Sequence, residues 1–387
     1  MYCIAYFLWG DLVRMPPEYP LFPSISPMKV KRWYQWLLII IAAALVATNL
    51  FWPEDQPAKT PLFWGVSLII PTLLWSFVFL LSLFAKKLTL YNRAIYLKAI
   101  EEDEARWWTY QSAKLPIENT LIIGCLGDNQ DEWSMLLSEM PTPPTPCLLD
   151  NQPVLSCPLF LGDRRNREKI GVKLLANQLV KAWHLDETER SMSHLYWLGS
   201  SDSMTLFVDC LQALHITPAP KRKNIQSIQD VDDIIDSYYG QCQNNQYLLV
   251  AGITQYDTTQ ETPIAEAGFV WLVSVEGTYA LHRSEVVEPQ EDRVSATTQL
   301  MKYAELNTPP AVILAMDSAS AAALTASEWR NVDAMLAPYF GATTSLSPFL
   351  AITQGVAHCR QTHETSCGWI SSMGKEQFIT GVIKKDE

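Results

Sequence analysis

The chain has 387 residues, 48% of them hydrophobic and 18% charged, with 41 acidic against 29 basic side chains and a formal net charge of −12. That composition excludes a disordered polymer. The acidic balance argues against a nucleic-acid partner, because a negative surface repels a phosphate backbone.

Residues 1–32 read as an N-terminal tail ending in the basic cluster Lys29, Lys31 and Arg32. Residues 33–52 contain no charged side chain, nor do residues 62–84, and each run is long enough to cross the hydrocarbon core of a bilayer. Trp33, Trp36, Trp52 and Trp64 lie near the ends of these runs, where indole rings favour the membrane–water interface. The linker between them is short and proline-rich, so residues 33–85 are expected to form a two-pass hairpin in contact with membrane lipid, with a kink at Pro71. A cleaved signal peptide is the competing reading, but a second full span follows and the stretch around Ala47 is a poor cleavage site. Basic residues flank the hairpin on one side, with Lys86, Lys87, Arg93 and Lys98 after the second span, whereas the linker carries only Lys59. The positive-inside rule then puts both termini and the large domain on the cytoplasmic side of the membrane.

Residues 86–115 read as a membrane-proximal helix carrying the acidic run Glu101-Glu102-Asp103-Glu104, and residues 116–387 as a soluble α/β domain. Within that domain residues 119–125 are a buried strand candidate, and residues 141–158, with six prolines, are irregular. Apolar residues at 170, 174, 175, 179 and 183 form a helical stripe. A strand at 195–199, helices at 203–214 and 228–239 and a strand at 247–252 follow. Residues 267–275 and 278–283 read as a hairpin around Glu276-Gly277. The remainder reads as a helix at 294–306, a strand at 311–316, helices at 326–336 and 347–359, and a strand at 376–383. Alternating strands and helices imply a layered α/β domain with a largely buried sheet, and no tandem repeat of fixed period is visible. The basic clusters at 164–167 and 221–223 read as solvated loops.

Two constellations could carry chemistry. Gly199-Ser200-Ser201-Asp202-Ser203 stands between a strand and a helix, the setting of a nucleophile elbow. With Asp317 after a later strand and His358 or His363 beyond it, Ser201, Asp317 and His358 follow the order of a serine hydrolase acting on lipid or acyl esters. The elbow pattern is broken, with serine in place of its second glycine, and a simple helix N-cap explains the same residues. His358, Cys359, His363 and Cys367 cluster as zinc ligands can, but match no finger spacing. The eight cysteines form no Cys-x-x-Cys pair and read as buried free thiols. No phosphate-binding loop, dinucleotide fingerprint or His-Glu-x-x-His motif occurs, so neither cofactor nor metal is expected.

Four segments resemble parts of the thiolase fold as found in β-ketoacyl synthases: 247–254, a strand ending in glycine; 263–272, a glutamate and small residues leading into a core strand; 311–318, a strand capped by Asp-Ser; and 341–352, a small-residue turn before a helix. The family's nucleophilic cysteine should start a helix after a strand, where this chain reads Ser200-Ser201-Asp202. The histidine-glycine-threonine motif is absent, and Pro338-Tyr339-Phe340 stands where the second histidine is expected. The resemblance therefore implies a thiolase-like domain without condensing chemistry, used for binding. In overall organisation the chain also resembles membrane-anchored accessory proteins of bacterial type VI secretion, in particular the lipase-adaptor family. That resemblance implies a protein partner, a secreted effector or a secretion component, for which the chain is adaptor or immunity factor.

Overall fold

A computed structural model describes residues 17–53, 60–149, 152–183, 191–241, 246–255, 265–287, 293–325, 327–329, 331–341, 345–374 and 377–386. The chain divides into two compact units, Pro16–Trp107 and a C-terminal unit from Trp108 to Glu387.

In the first unit, α1 spans Val30–Phe51, and a second helix of 51 residues runs through α2 (Pro61–Trp64), a π turn (Gly65–Ile69) and α3 (Ile70–Gln111). Two helices are therefore long and apolar enough to cross a membrane. The π turn has a local cause. Pro71 offers no N–H, and its ring would collide with the Ser67 carbonyl in a regular helix, so the turn before it widens. The Ser67 hydroxyl donates to the Phe63 carbonyl across that turn (2.7 Å). The helices meet antiparallel through aromatic pairs: Trp33 with Trp75 and Phe79 at one end, Trp52 with Phe63 at the other. The helix expected at residues 86–115 is the second half of α3 and stops at Gln111.

The C-terminal unit begins β1 (Lys114–Ile123), α4 (Gln130–Glu139), the small hairpin β2 (Cys147–Leu149) and β3 (Gln152–Val154), α5 (Arg164–Trp183), β4 (Ser191–Leu198), α6 (Ser201–Ala213), β5 (Lys221–Ile225), α7 (Asp230–Gln241), β6 (Gln246–Ile253) and β7 (Gly268–Val273). It continues with β8 (Tyr279–His282), β9 (Glu285–Val287), α8 (Arg293–Tyr303), β10 (Val312–Ala315), α9 (Ser318–Leu324), β11 (Ala334–Met335), α10 (Ala337–Phe340), α11 (Ser347–Thr362), β12 (Ser366–Ser372) and β13 (Phe378–Lys385).

The sheet order is β11-β10-β12-β13-β8-β1-β7-β6-β4-β5, with β9 added on β13. The path splits at β8–β1 into two copies of one arrangement. With β1, β4, β5, β6 and β7 as strands one to five, the first half is ordered 3-2-4-5-1. With β8, β10, β11, β12 and β13 counted the same way, the second half is ordered 3-2-4-5-1 as well. In each half only the fifth strand runs against the others. The unit is a structural duplication that the sequence does not display as a repeat.

Strand faces alternate between two cores. Leu248 and Val250 of β6 and Phe269, Trp271 and Val273 of β7 face an inner core with α7 and α11. Leu249 and Ala251, with Val270 and Leu272, face an outer core under α5 and α6. Helix α11 packs on β10, β12 and β13 of the second half and on β1 and β7 of the first, and twelve of its sixteen residues are buried.

Four expectations are corrected. β7 and β8 do not form a hairpin: both run antiparallel to β1, so they run in the same direction. The Glu276-Gly277 turn presses on the β1 backbone, where a Cβ on Gly277 would stand 2.6 Å from the Pro116 carbonyl carbon. The helix expected at 326–336 is replaced by α9, which starts earlier, and by the short strand β11; Ala326 and Arg330 lie outside the described residues. β12 was not expected, and the basic cluster at 221–223 belongs to edge strand β5 rather than a loop.

Candidate functional site

Ser200, not Ser201, caps α6: its Oγ accepts from the Ser203 amide (3.0 Å) and donates to Glu168 Oε1 (3.3 Å). Ser201 is the first helical residue, exposed, with its hydroxyl accepting from Asn224 Nδ2 on β5 (2.9 Å). Asp317 caps α9. Its carboxylate accepts from the Ser320 amide (2.7 Å), the Ser320 hydroxyl (2.9 Å) and the Ser372 hydroxyl (2.9 Å). His358 lies inside α11; burial holds its pKa below the ordinary imidazole value, and its Nδ1 has no hydrogen-bond partner. Among the described residues no hydrogen bond joins any two of Ser201, Asp317 and His358. Asp317 and Ser200, the residue before Ser201, stand at equivalent places in the two halves, each capping the helix that follows the second strand, and so on opposite sides of the β8–β1 junction.

Cys147 is exposed and Cys210 half-buried, against the expectation of buried thiols, while Cys125, Cys157 and Cys367 are buried and poorly placed for nucleophilic work. Burial, aided by Cys157, pushes Cys125 up to about 12, and burial pushes Cys157 up to about 11. Cys367 is raised well above the usual thiol value by a hydrogen bond with Cys359 and by burial. Cys125 donates to the Tyr339 carbonyl (2.7 Å). Among the described residues no group of three or more His, Cys, Asp or Glu side chains could hold a metal ion.

Sequence reasoning missed the best-organised polar feature. Arg167, expected in a solvated loop, forks onto Glu266 through Nε–Oε1 (2.5 Å) and Nη2–Oε2 (2.6 Å), and Glu266 also accepts the Cys157 amide (2.8 Å). Glu266 is wholly buried and Arg167 nearly so, which makes the pair a clamp between α5, the loop before it and the approach to β7. The signal available in the sequence was the glutamate of the 263–272 segment. A pocket of about 450 Å³ opens instead at the start of β4 and β6, between Met192, His194, Lys221, Tyr238, Gln246 and Leu248. It lies at the opposite end of β4 from Ser201. Burial and Lys221 keep His194 below its ordinary pKa.

No family model matches the chain, and no curated protein sequence does. Solved structures do. The ketosynthase from module 1 of the bacillaene synthase of Bacillus amyloliquefaciens superposes with a TM-score of 0.51 at 9% identity, over 72% of this chain and 74% of that one. The ishigamide ketosynthase/chain length factor gives 0.49 at 11% identity, over 71% of this chain and all of that one. Human mitochondrial 3-ketoacyl-CoA thiolase with CoA gives 0.44 at 8% identity, over 71% of this chain and 99% of that one. Of the four resembling segments, 247–254 is β6 and its end, 263–272 leads into β7, 311–318 is β10 entering α9, and 341–352 enters α11, with residues 263–264 and 342–344 outside the described residues. The C-terminal unit has a thiolase-like fold.

Proposed function

We propose that the chain is a non-catalytic, membrane-anchored protein-binding factor, an adaptor or immunity protein for a bacterial type VI secretion effector. In this reading the two long apolar helices lie in the inner membrane and the thiolase-like unit faces the cytoplasm to hold a secreted effector or a secretion component. The observation that carries the non-catalytic part is the local engagement of the reactive side chains. Ser201 bonds to Asn224, Asp317 caps its own helix, and burial pushes the Cys125 and Cys157 thiols up to about 12 and about 11. The resemblance in organisation to the lipase-adaptor family supports the partner class, and basic residues on both outer flanks of the hairpin support the orientation.

The test is an affinity pull-down of the full-length tagged chain from its native membrane extract, read by mass spectrometry. A stoichiometric secreted toxin or spike component is the expected result. No partner, together with ester hydrolysis that disappears in Ser201→Ala, would overturn the reading in favour of a membrane-bound serine hydrolase.

A further inference from the structure

Residues 17–29 form no helix or strand and run back along α3 within the N-terminal unit. Tyr19 bonds Asp103, the Tyr96 hydroxyl donates to the Pro20 carbonyl (2.7 Å), and Phe22 meets the Tyr96 ring. Nearer the apolar part of α3 the segment and the helix part around a cavity of about 450 Å³. That volume lies within the range of about 300–1,000 Å³ usual for small-ligand sites. One wall is Ser82, Lys86 and Thr89, which spacings of four and three put on one face of α3. The other is residues 22–28, where Phe22, Ile25 and Met28 are half-buried and Ser24 and Ser26 are exposed.

Lys86 differs from the other cations that flank the hairpin. Lys29, Lys31, Arg32, Lys87, Arg93 and Lys98 are all exposed, whereas Lys86 is half-buried. Among the described residues its ammonium meets no carboxylate, and the hydroxyls of Ser24, Ser26 and Ser82 bond to no protein atom. Ser82 is unlike its counterparts in the same unit. Thr48, Ser67 and Thr89 each return the hydroxyl proton to the carbonyl four residues back, at 2.7, 2.7 and 2.9 Å. An ammonium and three hydroxyls around one cavity, with no acid among its lining residues, make a donor set for an anion with several oxygens. A phosphate group is such an anion.

Depth selects the source of that phosphate. The uncharged run ends at Phe84, and Lys86 comes two residues later, about 3 Å along the axis at 1.5 Å per residue. The polar layer on each side of a bilayer is about 5–8 Å thick, so Lys86 falls at the level of the lipid phosphates. Phe22, Ile25 and Met28 give the cavity an apolar side for the first carbons of the acyl chains. Helix α1 starts two residues after Met28 with no side-chain cap and no acid in its first turn, so its positive end adds to the attraction. The exposed cations around it draw anionic lipid to the same level.

We infer that the cleft between residues 22–28 and α3 binds a phosphate ester, the headgroup phosphate of an anionic glycerophospholipid, with Lys86 pairing to its oxygens and Ser24, Ser26 and Ser82 donating to them. The inference rests on the membrane reading above, and its test separates the two.

The tagged full chain is immobilised in mild detergent and equilibrated with radiolabelled phosphatidylglycerol. Retained lipid is then displaced with unlabelled phosphatidylglycerol, with diacylglycerol of the same acyl chains, or with inorganic phosphate. Membranes carrying each variant are also washed with alkaline carbonate. The expected result is saturable retention that phosphatidylglycerol displaces and diacylglycerol does not. Lys86→Ala is expected to raise the half-saturating lipid concentration at least about tenfold, the worth of one charge-assisted contact. Ser24→Ala/Ser26→Ala/Ser82→Ala should raise it in the same direction, while Lys87→Ala, which removes the same charge from an exposed neighbour, should leave it within about twofold. Displacement by inorganic phosphate as readily as by phosphatidylglycerol would uphold the phosphate site and assign it to free phosphate. Equal losses in Lys86→Ala and Lys87→Ala, or displacement by diacylglycerol, in protein that stays in the carbonate pellet overturn the site and spare the membrane reading. Release of the wild type by carbonate overturns the membrane reading and the lipid with it.

Discussion

The two halves of the C-terminal unit share one strand order and differ in how much chain each puts into it. In the first half β4 and β6 have eight residues each and α6 thirteen; in the second, β10 has four, β11 two and α9 seven. Yet the second half supplies α11, whose buried length serves both halves. The outer layer of the second half is thin and its inner layer is complete. Such a distribution places the joint stability of the unit on contacts between first-half strands and α11, with helix termini contributing least.

The strongest way to break that arrangement is at Trp271. It is fully buried on β7, its Nε1 donates to Thr353 Oγ1 of α11 (2.7 Å), and its ring stands 5.5 Å from that of Phe349. Trp271→Ala removes the largest side chain bridging β7 to α11 and leaves a buried hydroxyl without its donor. The expected loss is about 4 kcal/mol, read as a lowered denaturation midpoint by intrinsic fluorescence, with both halves unfolding together because they share one inner core.

Next comes the first half's clamp. Arg167→Ala leaves the Glu266 carboxylate buried with, among the described residues, the Cys157 amide as its remaining partner, at an expected cost of about 3 kcal/mol. The double variant Arg167→Met/Glu266→Gln should recover part of that loss, because a buried unpaired charge is worse than no charge. A double variant less stable than the single one would show the pair to be worth more than its desolvation cost.

How far these contacts could be read from the sequence depends on what carries the signal. β6 and β10 were legible because a strand buried on both faces must be a continuous apolar run. β12, Ser366–Ser372, escaped because Ser, Cys and Gly fill it, small residues that let Trp329 lie against Gly368. β5 escaped because an edge strand needs little hydrophobicity and carries Lys and Arg, which resist further pairing. The β7–β8 hairpin failed for a topological reason: a tight Glu-Gly turn looks local, whereas β1, some 150 residues earlier, pairs with both strands. The duplication was invisible since it lives in strand order and not in residue identity. In the candidate site, the caps at Ser200 and Asp317 were readable from residue type next to an element boundary, while the Arg167–Glu266 fork, formed across 99 positions, was not.

A third, smaller effect sharpens the comparison from the second half. His282 on β8 is buried, and burial, with Lys114 and Lys384 nearby, lowers its pKa to about 4, Asp386 opposing. The folded state therefore holds it neutral, whereas the unfolded chain titrates near 6.5. Above pH 6.5 both states are neutral and its contribution is complete; as the pH falls towards 4 the unfolded state takes up the proton first and stability is lost. At pH 5 the loss is about 2 kcal/mol relative to pH 7, at 1.36 kcal/mol per unit. The difference between wild type and His282→Gln, measured by denaturant melts at both pH values, should isolate it; equal pH slopes in the two proteins would refute the assignment.

The smallest effects belong to the paired helix starts, and they bear most directly on function. Ser200 and Asp317 cap the same helix in the two halves, so Ser200→Ala and Asp317→Ala should each cost about 1 kcal/mol of stability through orphaned first-turn amides. Ser201→Ala loses only a surface bond to Asn224 and should change stability by less than about 0.5 kcal/mol. A nucleophile would leave Ser201→Ala equally neutral for folding but make Ser201 indispensable for ester hydrolysis, with Asp317→Ala also lowering turnover and Ser200→Ala not. Measuring melting midpoints and hydrolysis of short-chain acyl esters on all three variants therefore separates a duplicated cap from an active site. If Asp317→Ala costs stability in the same measure as Ser200→Ala and no variant alters turnover from background, the serine-before-acid order in the sequence is a by-product of the duplicated fold.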